Sequence, residues 1–178
     1  MGYAIPGTVI AIGVMIPFAS FDNLLDSWAR ERFGWSTGLL LSGTLIALVF
    51  AYLVRFLAVS LQTVEAGLGK IRPTMDEVAR SLGTGSGEIV RRVHMPMLKG
   101  SLLTALLLVF VDVLKELPAT LILRPFNYNT LAVRAYELAS DERLADASYA
   151  ALTIVVMGIL PVILLSRTIT RSRHAKSA

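Results

Sequence analysis

Four long apolar runs divide this chain, and the charged residues collect in the segments between them. A helix needs roughly 17 to 25 residues to cross a hydrocarbon core of about 30 Å. The runs at 3–19, 39–61, 101–123 and 147–165 meet that length. The pattern predicts an all-α, polytopic membrane protein with about four transmembrane helices. The first run, Tyr3 to Ala19, carries Pro6, Gly7, Gly13 and Pro17. Membrane helices tolerate such residues where neighbouring helices satisfy the freed backbone groups.

The polar stretch 62–100 has its own periodicity and predicts a helix, a turn and a second helix. Pro73 and Thr74 open the first helix, and Glu77 lies three residues after Thr74, the spacing of a capping box. Val78 and Leu82 share one face at i, i+4. Gly83 and Gly85 suit a left-handed helix end, Thr84 or Ser86 can cap the next helix, and Pro96 is expected to stop it. A short amphipathic helix of this kind can dock a partner or rest on lipid headgroups.

Composition agrees with the spans. Hydrophobic residues make up 54% and charged residues 17%, with a mean hydropathy of +0.65, outside the range of soluble domains. Cysteine is absent, so no disulfide framework or thiolate metal site is available; the two histidines, His94 and His174, are far apart in sequence. The net charge of +4 does not point to nucleic acid, because the basic residues are scattered between apolar runs instead of forming a stripe. No cleavable signal peptide is expected.

The basic residues set an orientation instead. Lys70, Arg72, Arg80, Arg91, Arg92 and Lys99 lie between the second and third runs, and Arg167, Arg171, Arg173 and Lys176 follow the fourth. The other two loops hold Arg30, Arg32, Arg124, Arg134 and Arg143, diluted by seven carboxylates. Ten against five predicts a cytoplasmic 62–100 loop and C-terminus. Trp28 and Trp35 then fall near the outer interface.

Inside the third run, Asp112, Lys115 and Glu116 interrupt the apolar pattern, followed by Pro118. Ionisable groups at bilayer depth cost about 2.5 to 3.5 kcal/mol each and must face protein or water. The trio reads either as part of a cation path or as a structural ion pair. Carboxylates suit hard cations, but this sequence names no complete metal-ligand set and calls for no cofactor. The stretch Gly67-Leu-Gly-Lys70 is followed by Ile71 and fails the phosphate-loop pattern, so any ATP must bind another chain.

The spacing Glu77-x-Ala79-x3-Gly83-x9-Val93-x-Met95-Pro96 resembles the signature loop of type I ABC-importer permeases, Glu-Ala-Ala-x3-Gly-x9-Ile-x-Leu-Pro. Val78, Val93 and Met95 depart from it by apolar replacements. The resemblance implies that the loop docks a separate cytoplasmic ATP-binding subunit, with Glu77, Ala79, Gly83, Val93 and Pro96 as coupling positions. The run from Asp112 to Arg143 looks like the ferric-iron branch, and the whole chain, 1–178, resembles the C-terminal part of the second half of such a permease. It is therefore read as a partial, single permease domain in a bacterial inner membrane. Implied partners are an extracytoplasmic substrate-binding protein, for which the acidic segment from Glu137 to Asp146 is a docking candidate, the missing permease half or a second permease chain, and lipid. Importers of thiamine, polyamines, sulfate or phosphonate share the loop. A polytopic enzyme acting on lipid is the remaining alternative, but no nucleophile, base or metal constellation accompanies Asp112 and Glu116, so no catalytic residue is assigned.

Overall fold

A computed structural model describes residues 5–174, and side chains as far as 163 together with Ser166. The described residues form helices α1 (Gly7–Phe33), α2 (Leu45–Leu68), α3 (Pro73–Ser81), α4 (Ser86–Ile89), α5 (Met95–Leu114), α6 (Pro118–Leu123), α7 (Leu131–Ser140) and α8 (Leu144–His174), with a π-helical turn at Val90–His94. No strand occurs among them. Four stretches, Gly7–Phe33, Leu45–Leu68, Ser86–Leu114 and Leu144–Ile163, are long and apolar enough to cross a membrane. At most 22% of any of their apolar windows is buried within the chain, so most of their side chains face lipid or other membrane protein.

The chain divides into two compact units. The first comprises 5–58 and 112–158. Its core joins Ile10, Ala11 and Val14 of α1, Ala47, Leu48 and Ala51 of α2, and Ala119 and Leu123 of α6, with Phe18 and Tyr52 packed against them. Four of these eight are alanines. Without a hydrophobic drive between helices in lipid, small side chains that let backbones approach are what makes such a contact favourable.

In this unit α1 runs well past the first predicted stretch, so Trp28, Arg30 and Arg32 lie on helix and not in a loop. It ends on Gly34, whose left-handed φ of 71° lets its N–H reach Arg30 O. The return segment is held by carboxylates of the helix itself. Asp22, 1% exposed, accepts from Leu41 N–H, Ser42 N–H and the Ser42 hydroxyl. One turn on, Asp26 accepts from Ser36 Oγ and Thr37 N–H and pairs with Arg30. The third apolar run does not continue as one helix: α5 stops at Leu114 and α6 begins at Pro118, where the missing N–H costs nothing in the first turn.

The second unit comprises 59–111 and 159–174. Here α2 continues to Leu68, so residues 62–68 are helix. The capping predictions need correction. Arg72 is the residue before α3 and Pro73 takes the first helical position, which puts Thr74 two places past the cap; no side chain caps this helix. Gly85 precedes α4, with φ −72°, and neither Thr84 nor Ser86 caps it. Pro96 does not stop the helix either. Proline lacks an N–H and its ring crowds the carbonyl four residues earlier; the wider turn just before it, in which Met95 N–H donates to Val90 O, lets Ser86–Leu114 continue through. Lys176 lies outside the described residues, as do the side chains of Arg167, Arg171 and Arg173.

Candidate functional site

Within the second unit, α3 is a nine-residue helix closed cleanly at its C-terminus. Gly83 has φ +80°, its N–H donates to Arg80 O, and Thr84 N–H donates to Ala79 O. This pair of bonds is the Schellman arrangement, which a residue with a Cβ adopts only under strain. The helix is held against the π turn by His94 Nε2 and Asp76 Oδ1 at 2.8 Å. An ionised Asp76 has no proton to give, so His94 is the donor.

Met75, Val78 and Leu82 remain on the open side of α3, with Leu82 79% exposed. With Thr74, Ala79 and Val93 they line a shallow apolar groove. Of the coupling candidates, Ala79 and Val93 thus share one groove and are half-buried. Glu77, Gly83 and Pro96 are exposed, and Glu77 and Pro96 do not line the groove.

The first unit holds the charges of the third run, of which Glu116 is buried, Asp112 half-buried and Lys115 exposed. Lys115 Nζ lies 2.9 Å from Asp112 Oδ1. Glu116, 6% exposed, turns elsewhere: its Oε1 accepts from Ala119 N–H at 3.1 Å, at the start of α6, and its Oε2 lies 3.3 Å from Arg55 Nε of α2. Two of the three predicted residues are brought together, and the third is paired with a residue that sequence reasoning missed. The signal was available. Arg55 interrupts the second apolar run, and an intramembrane arginine is a site candidate by itself; the trio also carried one uncompensated negative charge, which Arg55 balances.

Gly7 makes room for this pair. A Cβ there would sit 2.5 Å from Arg55 Nη1 and 2.7 Å from Glu116 Oε1. Next to it, the Thr120 hydroxyl donates to Glu116 O at 2.8 Å, so the Tyr52 hydroxyl, 2.5 Å away, is the donor to Thr120 Oγ1. Three helices are thereby tied at one joint. Among the described residues no group of three or more His, Cys, Asp or Glu side chains converges in a way that could hold a metal ion.

At the 124–146 segment, Arg124 bonds Asn129 and, at 2.9 Å, Glu137 Oε1, while Asn129 Nδ2 donates to Glu137 Oε2. Arg143 pairs with Asp146. Of the acidic residues proposed as docking surface, Glu137 and Asp146 are therefore committed within the chain.

Comparison with known proteins gives a consistent picture. The family model described as "Binding-protein-dependent transport system inner membrane component" matches residues 1–173. The chain is similar to the Fe(3+)-transport system permease protein FbpB 2 of Haemophilus influenzae, 28% identical over 165 residues, which cover 93% of this chain and 29% of that protein. It is also similar to the putative 2-aminoethylphosphonate transport system permease protein PhnV of Salmonella typhimurium, 30% identical over 156 residues, covering 88% of this chain and 52% of the relative. A ferric transport system permease protein FbpB of Actinobacillus pleuropneumoniae is 26% identical over 158 residues, covering 87% and 20%. The chain thus spans about half the length of the phosphonate relative and less than a third of the ferric ones.

Proposed function

Because this chain belongs to the binding-protein-dependent transport system inner membrane components, we propose that it forms part of the membrane pathway of an ABC importer. In this reading a separate ATP-binding subunit docks on α3, and an extracytoplasmic binding protein delivers the cargo. The polar segment around α3 and the C-terminus are cytoplasmic, by the excess of basic residues there. Further membrane spans complete the pathway, supplied by more of the same permease or by a second chain.

The observation that carries this reading is the exposed stripe Met75, Val78 and Leu82 on a helix terminated by Gly83. Nothing in the described residues covers Leu82, and a short rigid helix with one apolar face fits a groove on a partner. Glu77, Ala79, Gly83, Val93 and Pro96 are the coupling positions. Asp112, Lys115 and Glu116, joined by Arg55, are pathway-associated residues whose charges are matched within the chain.

Ferric iron is the first cargo proposed, from the Haemophilus and Actinobacillus relatives; a phosphonate is the second, favoured by the relative at 30% identity. The test is uptake of radiolabelled ferric iron and 2-aminoethylphosphonate by cells carrying the complete transporter, with and without a functional ATPase. Uptake that persists without the ATPase, or an ATPase that does not co-purify with the permease, sinks the importer reading.

A further inference from the structure

Within the second unit, one face of α2 and one face of α5 frame an open groove of about 590 Å³. They meet where Gly67 packs on Ser101 and Leu98, so closely that a Cβ on Gly67 would overlap the serine side chain. The groove is lined by Gln62, Thr63, Lys70, Ser101 and Thr104, with Gly67 and Gly100 among the small residues of its floor. The Thr63 and Thr104 hydroxyls donate to Val59 O and Gly100 O of their own helices and so give no proton to an occupant; the donors of the lining are Gln62, Lys70 and Ser101. An exposed amide and hydroxyls inside the apolar stretches of a membrane protein call for a polar occupant. The volume is that of a small-molecule site.

The charge of the lining says what that occupant is. Lys70 is its one charged side chain, and no carboxylate lines it. The carboxylates buried or half-buried elsewhere in the apolar stretches are engaged: Asp22 with Leu41 and Ser42, Asp112 with Lys115, and Glu116 with Arg55 and Ala119. A bare trivalent cation would meet an ammonium and no compensating oxygen anion here. An oxyanion would meet an ammonium and an amide donor.

We propose that the α2–α5 groove is the inner stretch of the translocation path and that it passes cargo as an anion, either a free oxyanion such as a phosphonate or a ferric ion wrapped in an oxyanion ligand. This rests on the importer reading above and narrows its cargo.

This chain carries no cysteine, and any cysteine in the rest of the transporter is first replaced by serine. A single Thr104→Cys is made in the complete transporter, in membranes, and labelled with the anionic sulfonatoethyl and the cationic trimethylammonioethyl methanethiosulfonates. Rates are normalised to those of a free thiol. The anionic reagent should react about fivefold faster, the effect of one nearby, partly screened positive charge. Lys70→Glu should reverse the preference, and Leu103→Cys, off the groove, should resist both reagents. Equal rates, a cationic preference, or a Thr104→Cys as inert as Leu103→Cys would overturn the proposal; the last outcome means that a membrane helix covers the groove. ATP-dependent uptake of ferric citrate and 2-aminoethylphosphonate is measured on the same cells. Its absence for both removes iron and phosphonate as cargo, an ATPase that does not co-purify fails the importer reading, and the reagent ratio still decides the charge preference of the groove.

Discussion

The joint of Gly7, Arg55 and Glu116 gives the sharpest quantitative expectation. Removing one partner of a buried ion pair costs about 3–5 kcal/mol, because the other charge is left uncompensated, whereas removing both is often neutral. Arg55 keeps 17% of its side chain exposed and its Nε stands 3.3 Å from the carboxylate, so the lower end, about 3 kcal/mol, applies. Glu116→Gln leaves an acceptor for Ala119 N–H but strands the arginine; Arg55→Met strands the carboxylate. Each should lose about 3 kcal/mol, and the double variant should return to within about 1 kcal/mol of the parent, since the glutamine still caps α6. Unfolding by SDS in mixed micelles, followed through Trp28 and Trp35, reads all four corners of the cycle. Costs that add to within about 0.5 kcal/mol would refute the pairing. Gly7→Ala is a check on the same joint: overpacking there should cost about 1–3 kcal/mol, and less in the double variant, where one of the two crowded groups is gone.

The other expectations are simpler. Gly83→Ala meets open space but must hold φ +80°, so it should cost about 1–2 kcal/mol locally and lower ATP-driven uptake, with membrane insertion unchanged by carbonate extraction. Leu82→Asp removes no internal contact of consequence and should weaken co-purification of the ATPase about tenfold; unchanged co-purification would move the docking surface off α3. Asp22→Ala leaves Leu41 and Ser42 N–H without their acceptor, at about 1–3 kcal/mol, and should speed proteolysis between 34 and 44, with Asp22→Asn intermediate.

What the sequence made legible was local or compositional. The spans follow from the length of apolar runs, and the end of α3 from a glycine placed where a left-handed residue is needed. Pro96 was misread because the usual rule for a proline assumes a regular α-helix; the π turn before it relieves the clash, and nothing in the spacing announces that turn. The capping box failed for a related reason, since α3 begins at Pro73, two residues before a helix capped by Thr74 would. Asp22 and Asp26 fell among the seven carboxylates counted with the loops, yet α1 continues beneath them and their partners return only after the chain reverses, 10 to 20 residues later. Arg55 escaped because a count of loop charges skips residues inside spans.

That last omission changes the chemistry assigned to the third run. With Arg55 unseen, Asp112, Lys115 and Glu116 carry a net negative charge and look like a way station for a cation. With it, each carboxylate has a basic partner, and Glu116 is further committed to the first turn of α6. The buried Arg55–Glu116 pair, close in space at 3.3 Å although Arg55 Nε makes no hydrogen bond, offers a passing ion little, because extracting either charge exposes the other. The Arg55–Glu116 pair fastens α2 to the start of α6, whereas Asp112 and Lys115 pair locally along the chain; the uncharged hydroxyls and single lysine of the α2–α5 groove, which can be wetted and rearranged at low cost, are better suited to a cargo that must bind and leave in every cycle. Under the proposed importer function, a permease built so can pass solutes of one charge sign without close selection, and the choice among them would fall to the proposed binding protein.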